Sequence, residues 1–262
     1  MKDQPIGIFD SGVGGTSIWK EIACLLPSEN TIYLADSKNA PYGAKTKEEI
    51  IQLSIKNTKW LIDKGCKLIV VACNTATTNA IGYLRGHYEV PFIGIEPAIK
   101  PAALLSKSKI VGILATKGTL SSSLFHNTTE NHARGIKVIE QVGTGLVPLI
   151  EEGKVNSKET KILLKKYITP MLDQGMDQLV LGCTHYPYLI PLLKTFLPVH
   201  VEVIYSGEAV ARQTKAVLEQ NGILNTIDQN GERQFYGNSN ISTLKSVLED
   251  VNFNMKVSYL NF

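Results

Sequence analysis

The residues in this chain best suited to moving protons are cysteines. There are four, Cys24, Cys66, Cys73 and Cys183, and no two stand in a CxxC pair. Two lead into runs of small hydrogen-bonding residues: Cys73-Asn74-Thr75-Ala76-Thr77-Thr78 and Gly182-Cys183-Thr184-His185-Tyr186-Pro187. A thiol gives up a proton and its thiolate takes one back; the ordinary pKa is about 8.5, lower beside a helix N-terminus or a cation. The Asn and Thr groups suit the carboxylate of a small ligand, and His185, two residues from a thiol, could tune or share its proton. The plain alternative is a cysteine buried as a small hydrophobe beside capping threonines. That reading suffices for Cys24, inside an amphipathic helical stretch, and for Cys66, between a glycine helix end and a strand.

Three further groups could serve such thiols. Asp10-Ser11-Gly12-Val13-Gly14-Gly15-Thr16-Ser17 follows the first apolar run. Its glycines permit close approach of a ligand, and the Asp-Ser pair favours a polar binding corner over a simple capped turn. Asp36-Ser37-Lys38-Asn39-Ala40-Pro41-Tyr42-Gly43 has turn chemistry at its end and reads as a lid over a cleft or a surface turn. Glu151-Glu152-Gly153 closes a helix and offers a supporting acid, Glu151 being preferred to Glu152, or only a solvated terminus. The chain has no GxGxxG, no GxxxxGK[ST] and no GxSxG, so nucleotide binding and serine hydrolysis lack their signatures. The remaining histidines show no metal-ligand spacing and no cysteine pair exists, which speaks against a metal site.

These residues need elements that hold them at strand ends. Short apolar runs at 6–9, 31–34, 68–72, 91–95, 110–114, 136–140, 178–181 and 201–204 alternate with helical periodicity, as over 47–64 and 158–172. Such alternation predicts an α/β fold with mainly parallel sheets covered by helices. The stretch beyond 232, with strand-like runs at 233–236 and 255–259 around a helix near 242–249, is less distinct. Residues 61–73 can be laid on 171–183 without a gap, matching Asp63 with Asp173, Gly65 with Gly175 and Cys73 with Cys183; residues 7–11 match 112–116 in the same way. The repeat predicts two pseudo-symmetric lobes, residues 1–95 with 206–262 and residues 96–205, each placing a cysteine at the carboxyl end of a strand. Ligands of open α/β sheets bind there, and the following helix N-terminus should lower the thiol pKa.

A chain of 262 residues buries roughly 70 to 75% of its unfolded surface and needs no disulfide staple. Its net charge of +3 is too small for a nucleic-acid or membrane footprint. A polar amino end without a signal core, no apolar run of about 18 residues and unpaired thiols point to the cytoplasm.

The four motifs, Gly7-Ile8-Phe9-Asp10-Ser11-Gly12-Val13-Gly14-Gly15, Ala40-Pro41-Tyr42-Gly43, Ala72-Cys73-Asn74-Thr75-Ala76-Thr77 and Leu181-Gly182-Cys183-Thr184-His185-Tyr186-Pro187, resemble those of the glutamate racemase family, in its order. The resemblance implies a cofactor-independent enzyme that interconverts L- and D-glutamate for peptidoglycan synthesis, with its active site between two α/β lobes, commonly as a homodimer. It implies Cys73 and Cys183 as the two acid/base thiols and Asp10, Glu151 and His185 as their polar support. Substrate contacts would come from Ser11, Pro41, Tyr42, Gly43, Asn74, Thr75, Thr116, Thr119 and Thr184, with Asp10, Cys73, Cys183 and His185 also facing the ligand. Some members carry an amino-terminal extension linked to activation by a cell-wall precursor; with the first motif at Gly7, none is expected here. The competing readings are a racemase of another amino acid such as aspartate, a non-catalytic binder of small amino acids and, third, a nucleotide-dependent enzyme.

Overall fold

A computed structural model describes residues 2–227 and 229–262. Among the described residues, ten strands form two parallel sheets. The first contains β1 (Ile6–Asp10), β2 (Thr31–Ala35), β3 (Leu68–Val71), β4 (Phe92–Gly94), β9 (Arg233–Gly237) and β10 (Lys256–Tyr259), in the order β10-β9-β2-β1-β3-β4. The second contains β5 (Ile110–Ala115), β6 (Lys137–Val142), β7 (Gln178–Gly182) and β8 (Glu202–Ile204), in the order β6-β5-β7-β8. Four strands of each sheet thus follow one order: β2-β1-β3-β4 matches β6-β5-β7-β8, so the sequence repeat is a repeat of topology. Gly65 and Gly175 both adopt positive φ, 76° and 85°, where glycine is favoured.

Residue parity along the central strands decides which face each side chain takes. Ile6, Ile8, Leu68 and Val70 join an apolar cluster that continues into the second lobe through Leu114, Leu179 and Leu181. Phe9, Ile69 and Val71 point the other way, against helices α2 (Lys47–Asp63) and α3 (Asn74–His87). Both faces being covered, β1, β2, β3 and β7 are buried throughout. Helix α2 starts at a capping box in which the Thr46 hydroxyl accepts from Glu49 N–H and the Glu49 carboxylate accepts from Thr46 N–H. Beyond β8 the chain returns to the first lobe: α10 (Gly207–Gln220) lies along α1 (Thr16–Leu25), and β9 and β10 extend the first sheet past β2. That tail is tied in by Lys67, whose ammonium meets the Glu29 carboxylate at 2.6 Å with both side chains buried. The Lys67 ammonium also donates to Ile223 O at 2.9 Å.

Two expectations need correction. Cys24 is exposed: α1 buries Ile18, Trp19, Ile22 and Ala23, which turns position 24 to solvent. Cys183 does not open a long helix; Tyr186–Leu189 is a 3-10 turn and Ile190–Leu193 a four-residue helix. Pro187 and Pro191 lack the N–H that a continuous helix through this segment would use, so of the two cysteines Cys73 alone stands at the start of a full helix. No helix among the described residues is long and apolar enough to cross a membrane.

Candidate active site

The carboxyl ends of β1, β3, β5 and β7 meet at a narrow cavity. Ser11, Pro41, Tyr42, Gly43, Cys73, Asn74 and Thr75 wall it from the first lobe, and Thr116, Val147, Cys183, Thr184 and His185 from the second. Both cysteines of the repeat therefore face one space. Cys66 packs away from it in the core, where burial pushes its thiol up to about 12.

Each thiol has a proton-holding neighbour. Cys73 is the N-cap of α3, its sulfur accepting from Ala76 N–H at 3.4 Å. Burial nevertheless raises the Cys73 thiol well above its ordinary value, and the nearby Asp10 charge raises it further. This reverses the lowering expected at a helix N-terminus: desolvation of a buried thiolate outweighs one backbone N–H. Asp10 is fully buried and accepts from Ser11 N–H at 2.7 Å and Gly15 N–H at 2.6 Å. Burial holds its carboxyl above the usual range against the opposing pull of His185. On the other side, His185 Nδ1 lies 3.8 Å from Cys183 Sγ and 4.0 Å from Asp10 Oδ2, while Nε2 is 2.6 Å from Glu151 Oε1. Burial disfavours charge on His185, but bonding to Cys183 and Glu151 outweighs it and keeps the imidazole well above its ordinary pKa. The Glu151 carboxylate is correspondingly held low: the bond to His185, with those from Val13 N–H and Ser37 Oγ, overcomes its burial.

The two glutamates differ in position. Glu151 reaches inward from α7 (Leu146–Glu151), whereas Glu152 is half-exposed and pairs with Lys154 at the surface.

Between the thiols lie groups with unused or adaptable hydrogen-bonding capacity. Both the nitrogen and the oxygen of the Asn74 side-chain amide are buried without a protein partner, a costly arrangement unless a ligand completes it. The hydroxyls of Thr75, Thr116 and Thr119 form a triangle across the lobes, with separations of 2.7, 3.3 and 3.0 Å. Thr119 stands behind the cavity wall rather than in it. Thr184 Oγ1 donates to Asp10 Oδ2 at 3.2 Å and its carbonyl accepts from Ser17 Oγ at 2.9 Å, so it also fastens the lobes together.

A family model described as Asp/Glu/Hydantoin racemase matches residues 15–214. The chain belongs to this racemase family. It is 46% identical over 225 residues to a glutamate racemase of Herpetosiphon aurantiacus, an alignment covering 86% of this chain and 89% of that one. The fold is similar to a crystal structure of a glutamate racemase isoform from Bacillus anthracis, with a TM-score of 0.87 and 28% identity over 99% of this chain and 98% of that one. It is also similar to the Francisella tularensis glutamate racemase in complex with D-glutamate, with a TM-score of 0.84 and 29% identity over 99% and 98% of the two chains.

In this racemase the glycines after β1 are required by the opposite lobe. A Cβ on Gly14 would stand 2.2 Å from His185 Nδ1, and one on Gly12 would stand 1.9 Å from Glu151 Oε1. The segment 37–44 forms two 3-10 turns built into the cavity wall, with Tyr42 buried, rather than a loose lid. Sequence reasoning missed Val147, which lines the cavity, and Ser37, which donates to Glu151. Ser37 lay inside a motif already singled out; Val147 reads like any apolar position of a helix. Among the described residues no group of three or more His, Cys, Asp or Glu is placed to hold a metal ion.

Proposed function

We propose that this protein interconverts L- and D-glutamate without a cofactor, by proton transfer at the α-carbon between Cys73 and Cys183. The observation that carries this reading is that equivalent strand ends of two like-ordered sheets deliver these two cysteines to one cavity. Racemisation needs a base on one face of a carbon and an acid on the other. One thiolate takes the α-proton as the C–H bond breaks. The other cysteine then gives its S–H proton to the opposite face, and the reverse direction swaps the two roles.

The neighbours fit those roles. Asp10, its carboxyl above the usual range, takes the proton of Cys73 when that residue must act as thiolate. A charged His185, held by Glu151, faces the sulfur of Cys183 across the cavity from Cys73. The unpaired Asn74 amide and the threonine hydroxyls hold the substrate carboxylates and meet developing charge with fixed donors. Ser11, Pro41, Tyr42 and Gly43 complete the wall on the first-lobe side. The likeness to proteins named glutamate racemase, one of them in complex with D-glutamate, supports the choice of substrate. On the resemblance of the four motifs we further propose that the D-glutamate serves peptidoglycan synthesis, that the enzyme works in the cytoplasm as a homodimer, and that its lobes divide near residues 95 and 205.

Incubation with L-glutamate in deuterium oxide, without added pyridoxal phosphate, tests reaction and substrate together. The expected product is D-glutamate carrying deuterium at the α-carbon. No exchange would overturn the reading, and turnover of aspartate in preference would overturn the substrate.

A further inference from the structure

The cavity wall formed by residues 37–44 has few backbone bonds of its own; what holds it is a residue outside the cavity. Asp36, at the end of β2, is fully buried. Its Oδ2 accepts from Tyr42 Oη at 2.5 Å. Its Oδ1 accepts from Asn39 Nδ2 at 2.8 Å and Asn238 Nδ2 at 2.5 Å, with Lys56 Nζ at 3.6 Å. Its backbone N–H donates to Asp10 O at 3.0 Å. The groups facing its carboxylate come from three places, the loop itself, helix α2 and the tail just past β9, while its backbone N–H ties it to the end of β1. Asn238 adds a second tie by accepting from Lys38 N–H at 2.9 Å, and Asn57 Nδ2 donates to the Tyr42 hydroxyl at 3.1 Å.

The loop so held has two working ends. At one, Tyr42 and Gly43 face the cavity, and Gly43 is pressed so closely on the second lobe that a Cβ there would stand 2.7 Å from Thr116 Cβ. At the other, Ser37 Oγ donates at 2.8 Å to Glu151, the partner of His185. A small displacement of the loop therefore alters the cavity wall and the histidine's support at once. We propose that Asp36 is a positioning residue for catalysis, setting the cavity wall through the Tyr42 hydroxyl and recruiting the carboxyl-terminal tail, through Asn238, into the working site. This rests on the cavity being the racemase site. Burial, with Asp36 next to it, keeps the Tyr42 phenol well above its ordinary pKa, so it stays a donor throughout the working pH range.

The test uses Asp36→Asn, Tyr42→Phe and the double variant, assayed for glutamate racemisation at a temperature where circular dichroism shows each fully folded. Asp36→Asn is expected to lower kcat/KM at least tenfold, mainly through KM, and to speed amide exchange over residues 37–44 while β1 and α2 keep wild-type protection. Tyr42→Phe is expected to do the same, and the double variant to fall within threefold of either single one. A purely structural role would lower the melting midpoint but leave the kcat/KM of folded enzyme and the exchange of 37–44 within twofold of wild type; that result overturns the proposal. So do multiplicative losses in the double variant. Should Asp36→Asn not fold, Tyr42→Phe alone decides, an unchanged KM overturning the proposal. If wild-type enzyme leaves glutamate untouched, the functional reading fails on its own, and the exchange comparison still decides the place of Asp36.

Discussion

At the scale of single residues, the site works by giving ionisable groups unequal surroundings. Cys73 and Asp10 are buried where charge is costly, and both are raised; His185 is buried just as deeply but holds its proton because Glu151 and Cys183 accept from it. Cys73→Ala and Cys183→Ala are each expected to lower kcat by about 10²–10⁴-fold, the usual worth of a positioned acid or base. Near-wild-type turnover in either variant, followed by polarimetry, would refute the two-thiol assignment. The His185–Glu151 pair also makes stability depend on pH. Glu151 is lowered from 4.5, so its contribution is complete above pH 4.5 and is lost as pH falls through the lowered value. His185 is raised from 6.5, so its contribution is complete below pH 6.5 and is lost as pH rises through the raised value. The gap in urea midpoint between wild type and Glu151→Gln should be fullest between pH 4.5 and 6.5 and should narrow toward alkaline pH. A gap that widens with rising pH would show that the pair is not held by a charged imidazole.

At the scale of elements, the loops that wall the cavity are placed by side chains that close the gaps between strands. Thr77, buried in the first turns of α3, donates to Val71 O at 3.0 Å and accepts from Ile95 N–H at 3.0 Å. It joins β3, α3 and the end of β4 directly behind Cys73. Thr77→Val keeps the shape but strands a buried N–H, so it should cost about 1–3 kcal/mol, read from denaturant melts. Thr46→Ala at the exposed α2 cap should cost about 1 kcal/mol; if the two losses were equal and under 0.5 kcal/mol, roughly the scale of surface substitutions, Thr77 would not be a joint.

At the scale of the whole molecule, the chain has to bring its tail home. β9 and β10 enlarge the first sheet, and Lys67 with Glu29 stitches the start of β3 to the loops before β2 and after α10. Replacing one partner strands the other as a buried charge, so Lys67→Met should destabilise by about 3–5 kcal/mol while leaving the site residues in place. A loss under 1 kcal/mol by chemical denaturation, the range of an exposed pair, would mean that the Glu29 carboxylate finds water or another partner.

Much of this was legible in the sequence because local chemistry and topology agree. Apolar runs between helical stretches specified parallel α/β units, and the repeat of Gly65 and Cys73 in Gly175 and Cys183 announced two lobes with matched thiols, since a parallel strand's carboxyl end is a fixed place in each unit. The tertiary structure alone decided what depends on burial and on distant neighbours. It set Glu151 against His185 and left Glu152 outside. It turned Cys24 to solvent and pushed the Cys73 thiol up where a helix N-terminus had suggested down. It brought Asn238 from the tail onto Asp36. A proton's affinity is a sum over surroundings, and in a buried site those surroundings come from segments far apart in the chain.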